Sequence, residues 1–207
     1  MKSAIVLSGG KSSRFGENKA LKKLCGKPIV CYVVESLLKA GYKVILVIGI
    51  KDRIKDFLRL FPSQITITKD NLAGYGPLAG ILSGLKMVNS TYTAILPCDS
   101  PFIKPKVIDF LFNSVKPYDA IIPRWANGYI EPLHAVYRVK PALKAAKEAI
   151  SKKELYIVDM IKRLKKVKYV SIDEIKPYDN KLLTFFNINT RNDFKEAKKI
   201  ISSISLN

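Results

Sequence analysis

Histidine occurs once, at His134, tryptophan once, at Trp125, and cysteine three times, at Cys25, Cys31 and Cys98, with no C-x-x-C spacing. That inventory leaves no zinc ribbon, no dithiol redox motif and no histidine-based metal cluster to consider. The three cysteines are odd in number and sit in apolar surroundings, so reduced, buried thiols in a cytoplasm are expected rather than a disulfide framework. No apolar tract is long enough to cross a bilayer, and the opening residues lack the pattern of a secretory leader. Acidic residues are also scarce, 17 against 36 basic ones, which gives a formal charge of +19. So large an excess points to an anionic ligand or partner. It is densest in "KRLKKVK", Lys162 to Lys168, with smaller clusters at Lys152–Lys153 and Lys198–Lys199. Solvated faces account for such clusters equally well.

What the chain does contain is a regular alternation. Apolar, β-prone runs lie at 4–8, 43–49, 65–67, 93–98, 120–123, 134–137, 167–172 and 184–188 ("TFFNI"), separated by helical patterns. Several are apolar throughout, as strands covered on both faces are. Between the first two lies "KPIVCYVVESLLKAG", with Pro28 suited to a first helical turn, Val30, Val33, Leu37 and Leu38 on one stripe, and Gly41 as the stop. The alternation predicts a three-layer α/β/α, Rossmann-like domain with a mostly parallel sheet. With 207 residues, no repeat and no linker, one domain is expected over 1–207. Ligands of such sheets gather at the carboxyl ends of the strands.

The stretch leaving the first strand is "LSGGKSSRFGENKAL", Leu7 to Leu21, rich in glycine, serine and basic residues. Glycines let backbone N–H groups approach an anion closely, so a phosphate cradle competes with a plain solvated turn. The spacing is neither G-x-x-x-x-G-K-[ST] nor G-x-G-x-x-G, because Gly9 and Gly10 are adjacent and Gly16 precedes Glu17. A second glycine-rich stretch, "GYGPLAGILSGL", puts Gly76 and Pro77 at a helix start, with Gly80 and Gly84 on one face. Those small residues serve either an anion or substrate contact at the helix start or close packing on the sheet. "AILPCDSPFI" places Asp99 just past an apolar strand, where one carboxylate suits Mg2+, whose shell is completed by phosphates and waters. A turn aspartate is the plainer alternative. His134, within an apolar strand, reads as a packed, hydrogen-bonded residue rather than an acid or base. Asn127, Gly128 and Glu131 form the turn that precedes it, and Trp125 and Tyr129 suit either stacking or covering the sheet edge. Thr190 and Asp193 have capping-box spacing ahead of a closing helix.

Taken together, "LSGGKSSRFGENKAL", "GPLAGILSGL", "PCDSPFI", "EPLHAVY" and "FNINT", in this order, resemble the molybdenum cofactor guanylyltransferases of the glycosyltransferase-A-like nucleotidyltransferase superfamily. The resemblance spans nearly the whole chain. It implies transfer of GMP from GTP to the terminal phosphate of a molybdopterin cofactor, with release of pyrophosphate. Residues 1–100 would then be mainly the nucleotide half and 101–207 mainly the acceptor half. By the same resemblance Leu7, Ser8, Gly9 and Gly10 contact the nucleotide through backbone, Lys19 binds its phosphates, Asp70 contacts it, and Asp99 holds Mg2+. Arg14 would neutralise the departing β and γ phosphates. Gly76, Pro77, Asn187 and Asn189 would serve the acceptor, and other cofactor-biosynthesis proteins or acceptor molybdoenzymes would be partners.

Three departures stand out. Ser8 replaces the commoner alanine, "VIGIKD" follows the second strand where relatives often offer Asn, and "FNINT" stands where sugar-activating members carry a late aspartate. Competing readings are cytidylyl transfer to the same cofactor, guanylyl transfer to a corrinoid precursor or sugar phosphate, and a nucleic-acid binder. Gly9 in "LSGG" favours guanine, because the extra Cβ of "LAAG" would crowd a base pocket. The nucleic-acid reading has only the charge behind it and leaves Asp99 unexplained.

Overall fold

The computed structural model describes residues 2–9, 18–61, 63–70, 72 and 76–205, so Gly10 and Arg14 lie outside the described residues. In chain order the strands are β1 (Ser3–Leu7), β2 (Lys23–Leu24), β3 (Lys27–Pro28), β4 (Lys43–Ile48), β5 (Thr66–Lys69), β6 (Tyr92–Pro97), β7 (Ala120–Arg124), β8 (Ala135–Arg138) and β9 (Val167–Ser171). The helices are α1 (Ile29–Lys39), α2 (Ile54–Leu58), α3 (Gly76–Leu85), α4 (Pro105–Ser114), α5 (Val139–Ser151), α6 (Ile157–Ile161), α7 (Ile172–Ile175) and α8 (Arg191–Ser205).

Seven strands form one sheet in the order β5-β4-β1-β6-β8-β7-β9. β5, β4, β1 and β6 run parallel, as do β7 and β9, while β8 is antiparallel to both its neighbours. This is the mostly parallel α/β sheet that the alternation predicts. Its central strands are continuously apolar over residues 4–7, 44–48 and 94–97 because both faces are covered there. Ala4 and Val6 of β1 face one core with Val30, Val33 and Leu37 of α1, Phe57 of α2 and Val107 and Leu111 of α4. Ile5 and Leu7 face the other, with Leu78 and Ile81 of α3, Ala142 and Ala146 of α5 and Met160 of α6. Three layers result.

α3 lies close to the sheet because Gly80 and Gly84 present no side chain to it. A Cβ on Gly84 would stand 2.6 Å from Ile5 Cγ2, and one on Gly80 3.3 Å from Leu7 Cδ2. Of the two readings of this stripe, close packing is therefore the one observed. α1 stops where expected, with Gly41 left-handed at φ +79° just beyond the C-cap Ala40.

Two expectations need correction. "TFFNI" is not a strand: Leu183–Phe185 is a 3-10 turn. The Asp179 carboxylate accepts from Thr184 N at 2.7 Å and Leu182 is left-handed at φ 52°, so the chain turns instead of extending. Cys25 is exposed rather than buried, unlike Cys31 and Cys98. It sits with Gly26 in the two-residue β2–β3 turn, at φ 47° and 83°, a hairpin geometry that leaves both residues at the tip. No described helix is long and apolar enough to cross a membrane.

Candidate functional site

At the carboxyl edge of β1 the backbone fans out between its neighbours. Ser8 N donates to Val47 O at 2.8 Å, and Cys98 N donates to Leu7 O at 3.0 Å. A cleft of about 460 Å³ opens there, floored by Leu7, Ser8 and Gly9 at and just past the end of β1 and by Pro97, Cys98 and Asp99 at and just past the end of β6. Asn18, Lys19 and Pro77 line it too, and residues of the second half of the chain close it: Tyr129, Glu131, His134, Asn187 and Asn189.

Lys19 is held in place by the turn that carries it. Asn18 caps the 3-10 turn Lys19–Leu21, its Oδ1 accepting from Ala20 N at 2.9 Å, while its Nδ2 donates to Asp52 Oδ1 at 2.7 Å. Asp52 Oδ2 accepts from Gly49 N at 2.8 Å, which ties the turn to the end of β4. From that base Lys19 Nζ reaches Asp99 Oδ2 at 2.6 Å and Asn189 Oδ1 at 3.0 Å. The Lys19 and Asp99 side chains are 16% and 20% exposed, enough to meet a ligand and too little for water to screen the pair fully.

Asn189 is positioned by the cap of α8. The backbone N–H groups of Asn189 and Thr190 donate to Asp193 Oδ2 at 2.8 and 2.7 Å, and Asp193 N donates back to Thr190 Oγ1 at 3.1 Å, the reciprocal capping expected from the spacing. Desolvation works against the Asp193 carboxylate, but these donors and the Lys19 charge outweigh it and hold the carboxyl below its ordinary value. Ile188 N donates to Asp99 O at 2.9 Å, which sets the Asn187–Asn189 segment alongside β6.

Beside Asp99 a chain of polar side chains runs into the core. Buried Ser100 donates to Asn187 Oδ1, and its Oγ lies 3.1 Å from His134 Nε2. His134 Nδ1 stands 3.5 Å from Glu131 Oε2, an ion-pair distance without hydrogen-bond geometry, and Glu131 Oε1 accepts from Trp125 Nε1 at 2.8 Å. His134 is thus a packed residue, as its apolar strand suggests. Trp125 is tucked against Phe185, whereas Tyr129 is 66% exposed at the rim. Only Tyr129 of that pair is free to stack on a ligand.

Of the residues singled out from sequence, Leu7, Ser8, Gly9, Lys19, Pro77, Asp99, Asn187 and Asn189 meet in this one cleft. Asp70 stands two strands away past β5, where its N–H donates to Ile48 O at 2.8 Å, and Gly76 opens α3 next to Pro77. Desolvation pushes the Asp70 carboxyl above its ordinary value, with the Leu72 N–H pulling it part of the way back. Gly9 has a packing reason of its own, since a Cβ there would meet Gly49 Cα and N at 3.3 Å. That backbone contact removes Gly9 as a clean sign of the base. Asp52, Asn18 and Ser100 are the contributors that sequence reasoning missed, and Asp52 lies in the very "VIGIKD" segment that departs from its relatives. Among the described residues no three or more His, Cys, Asp or Glu side chains gather as a metal cage.

A mostly parallel sheet that presents a lysine–aspartate pair at its carboxyl edge, over an open cleft, is the arrangement a nucleotidyltransferase needs, and family membership gives that class. The family model described as the MobA-like NTP transferase domain matches residues 4–166, and the chain belongs to that family. It is 35% identical to a probable molybdenum cofactor guanylyltransferase of Methanosarcina mazei, over 94% of this chain and 88% of that one. With a relative of the same description from Thermococcus sibiricus it shares 32% identity, over 94% and 96% of the two chains. Among solved structures, the molybdopterin-guanine dinucleotide biosynthesis protein A of Archaeoglobus fulgidus superposes with a TM-score of 0.82 at 30% identity, covering 98% of this chain and all 100% of that one. A 4-diphosphocytidyl-2C-methyl-D-erythritol synthase of Anaerococcus prevotii superposes at 0.71 with 15% identity, a likeness of fold.

Proposed function

We propose that this protein transfers GMP from GTP to the terminal phosphate of a molybdopterin-type cofactor, forming the guanine dinucleotide cofactor and releasing pyrophosphate. The observation that carries the reading is the meeting of Lys19, Asp99 and Asn189 within hydrogen-bonding reach at the carboxyl edge of β1 and β6. Membership in the family and the names of the relatives support the choice of guanine and of the acceptor.

In this reading an oxygen of the acceptor phosphate attacks the α-phosphorus of GTP, the bond to the β,γ-diphosphate breaks, and pyrophosphate leaves. The attacking group is already an anion, so the protein's task is alignment and charge neutralisation rather than proton removal. Leu7, Ser8, Gly9 and Gly10 contact the nucleotide through backbone, Asp70 meets it beyond β5, and Lys19 moves from Asp99 to the phosphates. Arg14 neutralises the leaving diphosphate. Gly76 and Pro77 at the start of α3, with Asn187 and Asn189, receive the acceptor on the opposite wall. Nucleotide residues thus come from 1–100, whereas the acceptor residues divide between the two halves of the chain, Gly76 and Pro77 in the first and Asn187 and Asn189 in the second.

Enzymes of this family use a divalent metal, and the donor set here fits Mg2+. Asp99 and Glu131 both line the cleft, but Glu131 is bound to Trp125, which leaves the partly exposed Asp99, and Mg2+ takes one or two protein carboxylates with phosphates and waters for the rest. When bound, that ion neutralises phosphate charge and fixes phosphate geometry. Other proteins that make or receive the cofactor are its partners, and the basic surface would attract acidic ones.

A pyrophosphate-release assay pairing each of the four nucleoside triphosphates with a molybdopterin-type acceptor tests the reading. Release with GTP that depends on the acceptor is expected. Release with CTP in its place would transfer the reading to cytidylyl chemistry. No release, together with salt-dependent oligonucleotide binding, would favour a nucleic-acid binder.

A further inference from the structure

The polar chain under the acceptor wall has a direction, and that direction decides what the wall offers an anion. Ser100 Oγ carries one proton and lies between two partners, Asn187 Oδ1 and His134 Nε2. A hydroxyl in that position can donate to one and must accept from the other. In the observed arrangement it donates to the Asn187 oxygen, so it accepts from His134 and the imidazole proton sits on Nε2. The Asn187 amide then has its oxygen turned inward to Ser100 and its two Nδ2 protons left for the cleft it lines. With the proton on Nδ1 alone every bond reverses. Ser100 would donate to His134 and accept from Asn187 Nδ2, and the amide would show its carbonyl oxygen to an incoming phosphate.

Glu131 makes no hydrogen bond to the imidazole and so does not lock it into either arrangement. Its Oε1 is committed to Trp125 Nε1 at 2.8 Å, and its Oε2 stands 3.5 Å from His134 Nδ1 without a hydrogen bond. The Glu131 charge lies on the Nδ1 side, so what calls for a proton on Nε2 is the Ser100 hydroxyl, already committed as donor to Asn187. Phe185 packs edge-on against the imidazole, with ring centroids 5.3 Å apart, and His134 is 1% exposed, so the ring is held in place. A second amide follows the same rule. Asn189 Oδ1 accepts from Lys19 Nζ, which leaves its own Nδ2 protons for the cleft.

We propose that Ser100 and His134 are positioning residues that aim the Asn187 amide so that, beside Asn189, it presents N–H donors to the anionic phosphate of the acceptor. This rests on the proposed guanylyl transfer and says which groups of the site select an anion on the acceptor side. His134 works through Ser100 and takes no proton from a reacting group.

The test uses three variants of the full chain: His134→Leu, which removes the donor; His134→Gln, whose side-chain N–H replaces the Nε2–H; and Ser100→Ala, which cuts the chain in the middle. KM for the acceptor and KM for GTP are measured separately by pyrophosphate release, with thermal melts alongside. His134→Leu and Ser100→Ala are expected to raise the acceptor KM about tenfold, as loss of one charge-assisted hydrogen bond does, with the GTP KM within about twofold of wild type. His134→Gln is expected to recover most of that loss. If His134→Leu fails to fold, the contrast between His134→Gln and Ser100→Ala carries the comparison. Equal impairment of the Gln and Leu variants, parallel rises in both KM values, or an unchanged acceptor KM in Ser100→Ala would overturn the inference while leaving guanylyl transfer standing. No pyrophosphate release from the wild-type protein would remove both.

Discussion

Gly80 and Gly84 of α3 face the same sheet four residues apart, yet alanine should act oppositely at the two. In both cases the substitution gains helix propensity, about 1 kcal/mol for Gly→Ala in a helix interior. At Gly80 the new methyl would lie 3.3 Å from Leu7 Cδ2 and 3.7 Å from Val47 Cγ1, a contact that a small side-chain shift relieves. Gly84 allows no such relief: the methyl would stand 2.6 Å from Ile5 Cγ2 and 3.1 Å from both Ile5 Cδ1 and Val47 Cγ2. Ile5 is fully buried in β1, so α3 or the strand has to move, and overpacking of that kind costs about 1–3 kcal/mol. Gly80→Ala should therefore be neutral or stabilising by up to about 1 kcal/mol, and Gly84→Ala destabilising by about 1 kcal/mol. A gap of about 1–2 kcal/mol corresponds to about 2–8 °C in Tm for a chain of this size. Because Pro77 in the first turn of α3 lines the cleft, Gly84→Ala should also raise KM for the acceptor. Calorimetry on both variants decides the matter. Equal melting temperatures, or a more stable Gly84→Ala, would refute the close-packing account of the glycine stripe.

Five further outcomes follow from the site and the rest of the chain. Asp99→Asn should abolish pyrophosphate release while leaving the melt cooperative, because a neutral amide cannot hold the cation that neutralises the phosphates; near-normal turnover would take Asp99 out of that role. Lys19→Ala should raise KM for GTP about tenfold with a smaller change in kcat, since a phosphate contact exists in ground and transition states alike; an unchanged KM would mean the cradle lies elsewhere. Burial pushes the thiols of Cys31 and Cys98 up to about 11 and about 12, so alkylation of the folded protein at pH 8 should label Cys25 alone by mass spectrometry. Unfolded thiols ionise from about pH 8.5 while these stay protonated, so their contribution to stability is intact below that pH and declines as pH climbs toward 11 and 12; a melt unchanged between pH 8 and 11 would contradict the burial. Within the basic cluster, Lys162 pairs with Asp159 at 3.6 Å and Arg163 with Glu154 at 2.7 Å, so reversing Lys165, Lys166 and Lys168 should slow acceptor or partner association most at low salt and leave GTP affinity unchanged, and a flat salt series would retire the steering idea.

The strands and their layering were legible because burial on both faces leaves a continuous apolar run, as in "AIVL" of β1 or "VILVI" of β4. The α8 cap was legible because Thr190 and Asp193 act within one turn. Lys19 and Asp99 could be placed because each follows a strand of that sheet at the edge where ligands gather. What escaped depends on contacts between distant positions. "TFFNI" has the apolar density of a strand, and only the Asp179 carboxylate and the Lys104 N–H, which donates to Thr184 Oγ1, show that it turns. The reversed direction of β8 leaves no trace in a period of two. Ser100, His134 and Asn187 are up to 87 positions apart, and no local pattern announces their chain. Asp52 was hidden in a segment noticed only for the asparagine it lacks, although its carboxylate takes over the tie between the end of β4 and the Lys19 turn.

The central claim is that the α-phosphate of GTP passes to a phosphorylated acceptor in the cleft between Lys19, Asp99 and Asn189. Incubation of the protein with a divalent cation, a molybdopterin-type acceptor and GTP labelled at the α-phosphorus tests it most directly. The account predicts label in a product that contains guanine and the acceptor joined through a diphosphate, and none in that product when the label is on the γ-phosphorus instead. Label left wholly in GTP, or found on the acceptor only from the γ-position, would contradict it.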